Sequence, residues 1–226
     1  MKNKGLYIFF ATITFVFILH GIDQWLEVTY LIKSCIKITM LFCIVIFYNW
    51  AFKATLIKTS IDNFRTRERV KSVKYIGLAL VVLIPFVYIL IRPTIDEVKI
   101  IVDFENKYGI SKNNFIFYGM YLSVANAMFE ELFFRGFLFL ELRKLTKRST
   151  AYIFSASAFA IYHLANINGW FNPYILTLAL SGLFAGGLLF NYLDEKTESF
   201  INSYFVHFCA DVGIVIVGAI IFLDLL

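Results

Sequence analysis

Seven stretches of this chain are each about as long as a bilayer core is thick and almost wholly apolar, and that repetition limits the fold more than any other feature. They fall at roughly 5–20, 31–52, 75–91, 114–142, 150–166, 173–193 and 200–223, bounded by charged or turn-forming residues. A hydrocarbon core of about 30 Å takes roughly 20 apolar residues per helix. Inside lipid every backbone amide must find its partner within the segment, so such runs fold as helices. The sequence therefore predicts an all-α, polytopic transmembrane helical bundle of about seven spans. Of 226 residues, 60% are hydrophobic, which leaves too little chain for a separate soluble domain. The start, MKNKGLYIFFATITFVFILH, has the basic end and apolar run of a signal peptide but no small-x-small cleavage site after it. It reads as a retained first span.

The formal charge of +5 does not point to nucleic acid, because the basic residues sit in a few short segments between spans, as membrane orientation requires. In a seven-span arrangement Lys2, Lys4, Lys53, Lys58, Arg65, Arg67, Arg69, Lys71, Lys74, Arg143, Lys144, Lys147, Arg148 and Lys196 fall on one side. Lys33, Lys37, Arg92, Lys99, Lys107 and Lys112 fall on the other, and Arg135 lies within a span. The positive-inside rule then places the N-terminus in the cytoplasm and the C-terminus outside the cell membrane. Segment 58–74 mixes charges of both signs and reads as a cytoplasmic helix or loop at the headgroups. Segment 92–113 is long enough to cover part of the outer surface. Cys35, Cys43 and Cys209 show no ligand spacing and read as small core residues.

Three ionisable residues interrupt the fourth span, in Asn126-Ala-Met-Phe-Glu130-Glu131-Leu-Phe-Phe-Arg135-Gly136. Each costs about 2.5–3.5 kcal/mol at mid-helix on insertion scales, so something must offset them. Glu131 and Arg135 are four apart with the acid first, which lets them pair on one face. Glu130 points about 100° away and lacks that partner. Its own face carries Ser123, Asn126 and Ala127, a small and polar stripe suited to a wet cavity. A purely structural Glu–Arg clamp accounts for Glu131 and Arg135 but leaves Glu130 unexplained, which makes Glu130 the candidate base.

Two of the three histidines are also intramembrane. His163 lies four residues after Phe159 in the fifth span, His207 four before Asp211 in the seventh, and His20 reads as interfacial. At about 1.5 Å of rise per residue, Glu130, His163 and Asp211 lie roughly 20 Å from the cytoplasmic ends of their spans and His207 about 14 Å. The four can meet at one level. Ser155, Phe159 and His163 share a face, as do Ser203, His207 and Asp211. In the sixth span Gly182, Ala185, Gly186 and Gly187 read as a surface for close helix packing.

Taken in order, Glu130-Glu131-x-x-x-Arg135, Phe159-x-x-x-His163 and His207-x-x-x-Asp211 resemble the CPBP family, the CAAX prenyl protease and bacteriocin-processing intramembrane proteases also called Abi proteins. The resemblance divides the chain into N-terminal spans and loops, 1–111, and a protease-like core, 112–226, within one structural domain. It implies an endopeptidase of the type II CAAX prenyl kind in which Glu130 and His163 hold and activate a water. Glu131 and Arg135 would hold the site together, and His207 with Asp211 would polarise the scissile carbonyl or bind a metal. Many members resemble His-x-x-x-Asn at the last motif. Asp211 matters because an ionised Asp only accepts hydrogen bonds, whereas an Asn amide can donate to an oxyanion.

Amide hydrolysis needs an activated water, a stabilised oxyanion and a proton for the leaving amine, and this residue set can supply all three. Two imidazoles and one or two carboxylates are equally a first shell for zinc, and the sequence leaves cofactor and metal undecided. Ser155, Ser203 and Cys209 lie in no nucleophile elbow. The expected partners are membrane lipids and a peptide or protein substrate at the membrane, without nucleic acid. The alternative function is a non-enzymatic membrane partner, such as a bacteriocin immunity protein or a sensor-kinase scaffold. An ion pathway ranks below both, since inverted repeats and paired broken helices are lacking.

Overall fold

Local chemistry ends each apolar run close to where the sequence places its boundary. A computed structural model describes residues 2–25, 28–66, 71–167 and 171–223, and all regular structure among them is helical. In order these are α1 (Lys2–Trp25), α2 (Tyr30–Phe52), α3 (Leu56–Thr66), α4 (Val73–Ile91), α5 (Glu97–Tyr108), α6 (115–143), α7 (Arg148–Ile167), α8 (Pro173–Thr197) and α9 (Ile201–Leu223). Helix α2 stops at Lys53, which turns left-handed with φ 52°. Helix α8 starts on Pro173 behind Asn172, whose side chain accepts from the Tyr174 and Ile175 amides at 3.0 Å, using proline where no amide is needed and asparagine where a cap is.

Five segments, Asn3–Ile22, Tyr30–Phe52, Val73–Thr94, Pro173–Thr197 and Ile201–Leu223, are long and apolar enough to cross a membrane. The chain is a multi-pass membrane protein. The other two expected spans, α6 and α7, are the helices that carry Glu130, Glu131, Arg135 and His163, and those residues lower their apolarity. Large apolar side chains such as Phe17, Trp50, Leu78 and Phe117 face outward, as lipid contact requires. Helices α3 and α5 are amphipathic and cover the two connections read as surface segments. In α3, Leu56 and Ser60 are buried while Ile57 and Ile61 are exposed. Arg67 and Arg69 lie outside the described residues.

Small residues set how closely the helices approach. A Cβ on Gly213 would lie 3.1 Å from the Leu80 carbonyl, and one on Gly77 would lie 2.8 Å from Cys209 Sγ, so α4 and α9 meet nearly backbone to backbone. Gly187 plays the same part between α8 and α7, where a Cβ would lie 3.0 Å from Ala156 Cα. The rest of the expected packing stripe does not do this. Gly182 and Gly186 have nothing within 4 Å of a built Cβ and Ala185 is exposed, because only one edge of α8 meets the bundle. The cysteines also differ from expectation. Cys35 and Cys43 are exposed and only Cys209 is packed within the bundle, since apolar residues on a lipid-facing side need not be core.

Candidate active site

Helix α6 is continuous but changes pitch around the acids. Its α-helical pieces, Phe115–Tyr121, Ala127–Glu131 and Leu140–Arg143, are joined by the wider π-helical turns Leu122–Asn126 and Leu132–Phe139. Such turns re-aim the side chains beside them and occur often at functional sites. One α-helical turn between them presents Glu130 towards α2 and α7, and Glu131 towards α9. Below the acids, Phe133, Phe134, Phe137 and Phe139 are all buried; the Phe133 ring lies 4.3 Å from that of Phe15, which seals this level from lipid.

The two oxygens of Glu130 have different surroundings. Oε1 accepts from Asn126 Nδ2 at 2.7 Å and from the Tyr162 hydroxyl at 2.8 Å, with Lys37 Nζ at 3.5 Å. Lys37 also donates to Asn126 Oδ1 and to the Tyr162 hydroxyl oxygen. Oε2 is buried and, among the described residues, has no hydrogen-bond donor. It faces His163 Nε2 at 3.6 Å and His207 Nε2 at 3.9 Å. Glu130 is expected to lack Arg135 as a partner, and Arg135 pairs with Glu131 instead; the groups on Glu130 Oε1 come from Asn126, Tyr162 and Lys37.

Each imidazole is held by its far nitrogen. His163 Nδ1 lies 2.8 Å from the Phe159 carbonyl, which can only accept, so Nδ1 carries a proton, and in the neutral ring Nε2 turns a lone pair towards Glu130. His207 Nδ1 lies 2.7 Å from Glu131 Oε1, and the same oxygen accepts from Arg135 Nη1 at 3.1 Å. Arg135 is fully buried, with its guanidinium 4.1 Å from the Phe159 ring centroid and 4.9 Å from that of Phe190. It thus spreads its charge over two aromatic faces as well as one carboxylate. Asp211 Oδ1 lies 3.7 Å from His207 Nε2.

A buried polar layer towards the Arg143 and Glu198 ends of these helices supports this arrangement. Asp194 Oδ1 accepts from the Ser203 amide at 3.0 Å, capping the first turn of α9 and fixing the depth at which His207 projects. Ser155 Oγ donates to the Phe134 carbonyl at 3.0 Å. Ser155 and Ser203 thus hold the scaffold and do not point at the acid–imidazole centre.

The structure brings all six sequence-predicted residues together: Glu130, Glu131, Arg135, His163, His207 and Asp211. Donor type suits zinc, but the atoms that face one another do so at 3.6–3.9 Å. Ligands of one tetrahedral zinc stand closer, at about 3.3–3.5 Å for bonds near 2.0–2.1 Å. Among the described residues no group of three or more His, Cys, Asp or Glu side chains could hold a metal ion. Sequence reasoning missed Lys37 and Tyr162. Lys37 was counted as an outer-side charge, yet its ammonium lies inside the site. A lysine seven residues into an apolar helix needs a buried partner, and that signal was present. Tyr162 gave none, as tyrosine is common in such helices.

A helical membrane bundle with a buried carboxylate–imidazole centre is the class this fold and site define. A family model, Type II CAAX prenyl endopeptidase Rce1-like, matches residues 112–213, from just before α6 into α9. That match covers a little under half of the chain and, with the three ordered motifs, supports a CPBP/CAAX protease family assignment. No curated protein and no solved structure matches the chain.

Proposed function

We propose that the protein is an intramembrane endopeptidase that hydrolyses peptide bonds of membrane-presented substrates with a water activated by Glu130 and His163. The observation that carries this reading is Glu130 Oε2 and His163 Nε2 facing each other at 3.6 Å, with no donor on Oε2 among the described residues. Water is the small molecule that donates to both. A water bonded at about 2.8 Å to each acceptor separates them by about 4.4 Å, so a shift of His163 by under an ångström admits it.

The water oxygen attacks the scissile carbonyl carbon while its proton passes to Glu130 Oε2. His207, when doubly protonated, donates from Nε2 to the oxyanion that forms. Glu131 holds its Nδ1–H, and Asp211 balances the ring's charge from 3.7 Å. Collapse of the intermediate breaks the C–N bond, and the proton on Glu130 goes to the departing amine. Glu131 and Arg135 orient His207 without touching substrate. Asp211 accepts where an amide would donate, so the oxyanion is left to His207. No step runs through a metal.

CAAX-type peptides and bacteriocin leaders are the candidate substrates, cut at a multi-pass cell-membrane protein whose N-terminus is cytoplasmic. Residues 112–226 form the protease core in this reading. The test uses protein reconstituted in liposomes with two internally quenched probes, a CAAX-type peptide carrying an S-prenylated cysteine and a leader-type peptide. Cleavage of either, lost in His163→Ala and in His207→Ala while both variants stay folded, is the expected result. No cleavage of either probe, or full turnover by both variants, overturns the proposal.

A further inference from the structure

Helix α2 lies outside the segment that matches the family, yet it sends one side chain into the centre. Lys37 is a costly residue to bury in lipid, and its side chain is only 13% exposed. Its Nζ reaches Asn126 Oδ1, the Tyr162 hydroxyl at 3.1 Å and Glu130 Oε1 at 3.5 Å. An ammonium has three N–H donors and no acceptor, so these three oxygens account for all of them. None is left over for an oxyanion or for a substrate carboxylate. Whatever Lys37 does for the reaction it does through its neighbours.

Asn126 and Tyr162 are both ambivalent groups. An asparagine amide can turn either its oxygen or its nitrogen to a neighbour, and a hydroxyl can donate or accept. Because Lys37 can only donate, Asn126 must face it with Oδ1 and therefore face Glu130 with Nδ2, at 2.7 Å. The Tyr162 oxygen likewise accepts from Lys37 and its single proton goes to Glu130, at 2.8 Å. The result is one carboxylate oxygen with three donors and another with none among the described residues. Without the ammonium, Asn126 is free to flip and the Tyr162 proton to rotate, and either change lets the carboxylate turn.

We propose that Lys37 is a positioning residue of the active centre: it fixes Asn126 and Tyr162 as donors to Glu130 Oε1, so that Oε2 alone is free to take the proton of the attacking water. This rests on the reading of Glu130 as the base. It also gives the N-terminal half of the chain a direct part in the chemistry, since the cradle needs α2, α6 and α7 together.

The test is a chemical rescue scored on the same liposomes and probes. In a background where Cys35, Cys43 and Cys209 are alanine, Lys37→Cys is assayed before and after alkylation with 2-bromoethylamine, which rebuilds an ammonium of nearly lysine length. Alkylation is followed by mass spectrometry. Methyl methanethiosulfonate, which adds bulk without charge, is the control. Loss of a hydrogen bond to a charged group predicts a fall in kcat of about ten- to a hundredfold, with KM little changed. The ammonium adduct restores kcat and the methylthio adduct does not. Lys37→Met with wild-type kcat, or an alkylated protein no faster than Lys37→Cys, overturns the proposal. A space-filling clamp between helices would respond equally to both adducts. Glu130→Gln measured in parallel separates the two ideas. If it stays active, the reading of Glu130 fails first; if it is dead while Lys37→Met is fast, only the role of Lys37 fails.

Discussion

Removing one member of the Glu131–Arg135 pair should cost more than removing both costs per member, and the structure sets the scale. Both side chains are fully buried, so Arg135→Met leaves Glu131 charged and held only by His207, and Glu131→Gln leaves the guanidinium without its carboxylate. Stranding one charge of a buried pair costs about 3–5 kcal/mol. For Arg135, the stacking on Phe159 and Phe190 at 4.1 and 4.9 Å adds about 0.5–2 kcal/mol. Glu131→Gln should thus lose about 3–5 kcal/mol and Arg135→Met about 3.5–7 kcal/mol. The double variant strands neither charge and should fall short of the sum by about 2–3 kcal/mol. Reversible unfolding by sodium dodecyl sulfate in mixed micelles, followed by tryptophan fluorescence, gives the four free energies of the cycle. Effects that add to within about 0.5 kcal/mol, or an Arg135→Met midpoint equal to wild type, would refute the reasoning.

Probe cleavage should persist in 1,10-phenanthroline at concentrations that strip zinc, since the proposed reaction activates its water with Glu130 and His163 alone; loss of activity that zinc restores contradicts this. Gly187→Leu should lower the thermal midpoint by the equivalent of about 1–3 kcal/mol, because its Cβ already meets Ala156 at 3.0 Å and Arg135 Nη2 at 3.5 Å. Gly182→Leu, with nothing within 4 Å, should change it by less than about 0.5 kcal/mol. On the connection between α4 and α5, hydrogen bonds from Arg92 hold the Glu97 carboxyl below its ordinary value of 4.5. A depressed carboxylate stabilises the folded tie above its unfolded pKa and loses that contribution as pH falls through the lower folded value. A spin label at Val102→Cys should therefore gain mobility only below about pH 4.5, and Glu97→Gln should remove the transition.

How far the sequence could go follows from which signals are periodic. Helical spacing and a fixed rise per residue were enough to bring Glu130, His163, His207 and Asp211 to one depth and to pair Glu131 with Arg135. These are backbone properties that any apolar helix obeys. The π-helical turns on either side of Ala127–Glu131 had no such signature, because a change of pitch leaves no mark in the spacing of apolar residues along a span. The asymmetry of Glu130 was equally hidden, as it depends on Lys37 and Tyr162 arriving from two other helices. Orientation of a face is the weakest inference of all: Gly182 and Ala185 of α8 and two of the three cysteines turn outward, and lipid is as apolar as a protein core.

The central claim is that Glu130 takes the proton of the attacking water, and a single-turnover comparison of wild type with Glu130→Gln addresses it most directly. The glutamine keeps the size of the side chain and an oxygen for Asn126 and Tyr162 but removes the basic Oε2. With the quenched probe bound in excess enzyme, the account predicts a cleavage rate lower by about 10²–10⁴ and unchanged probe binding. Cleavage by Glu130→Gln at the wild-type rate would contradict it.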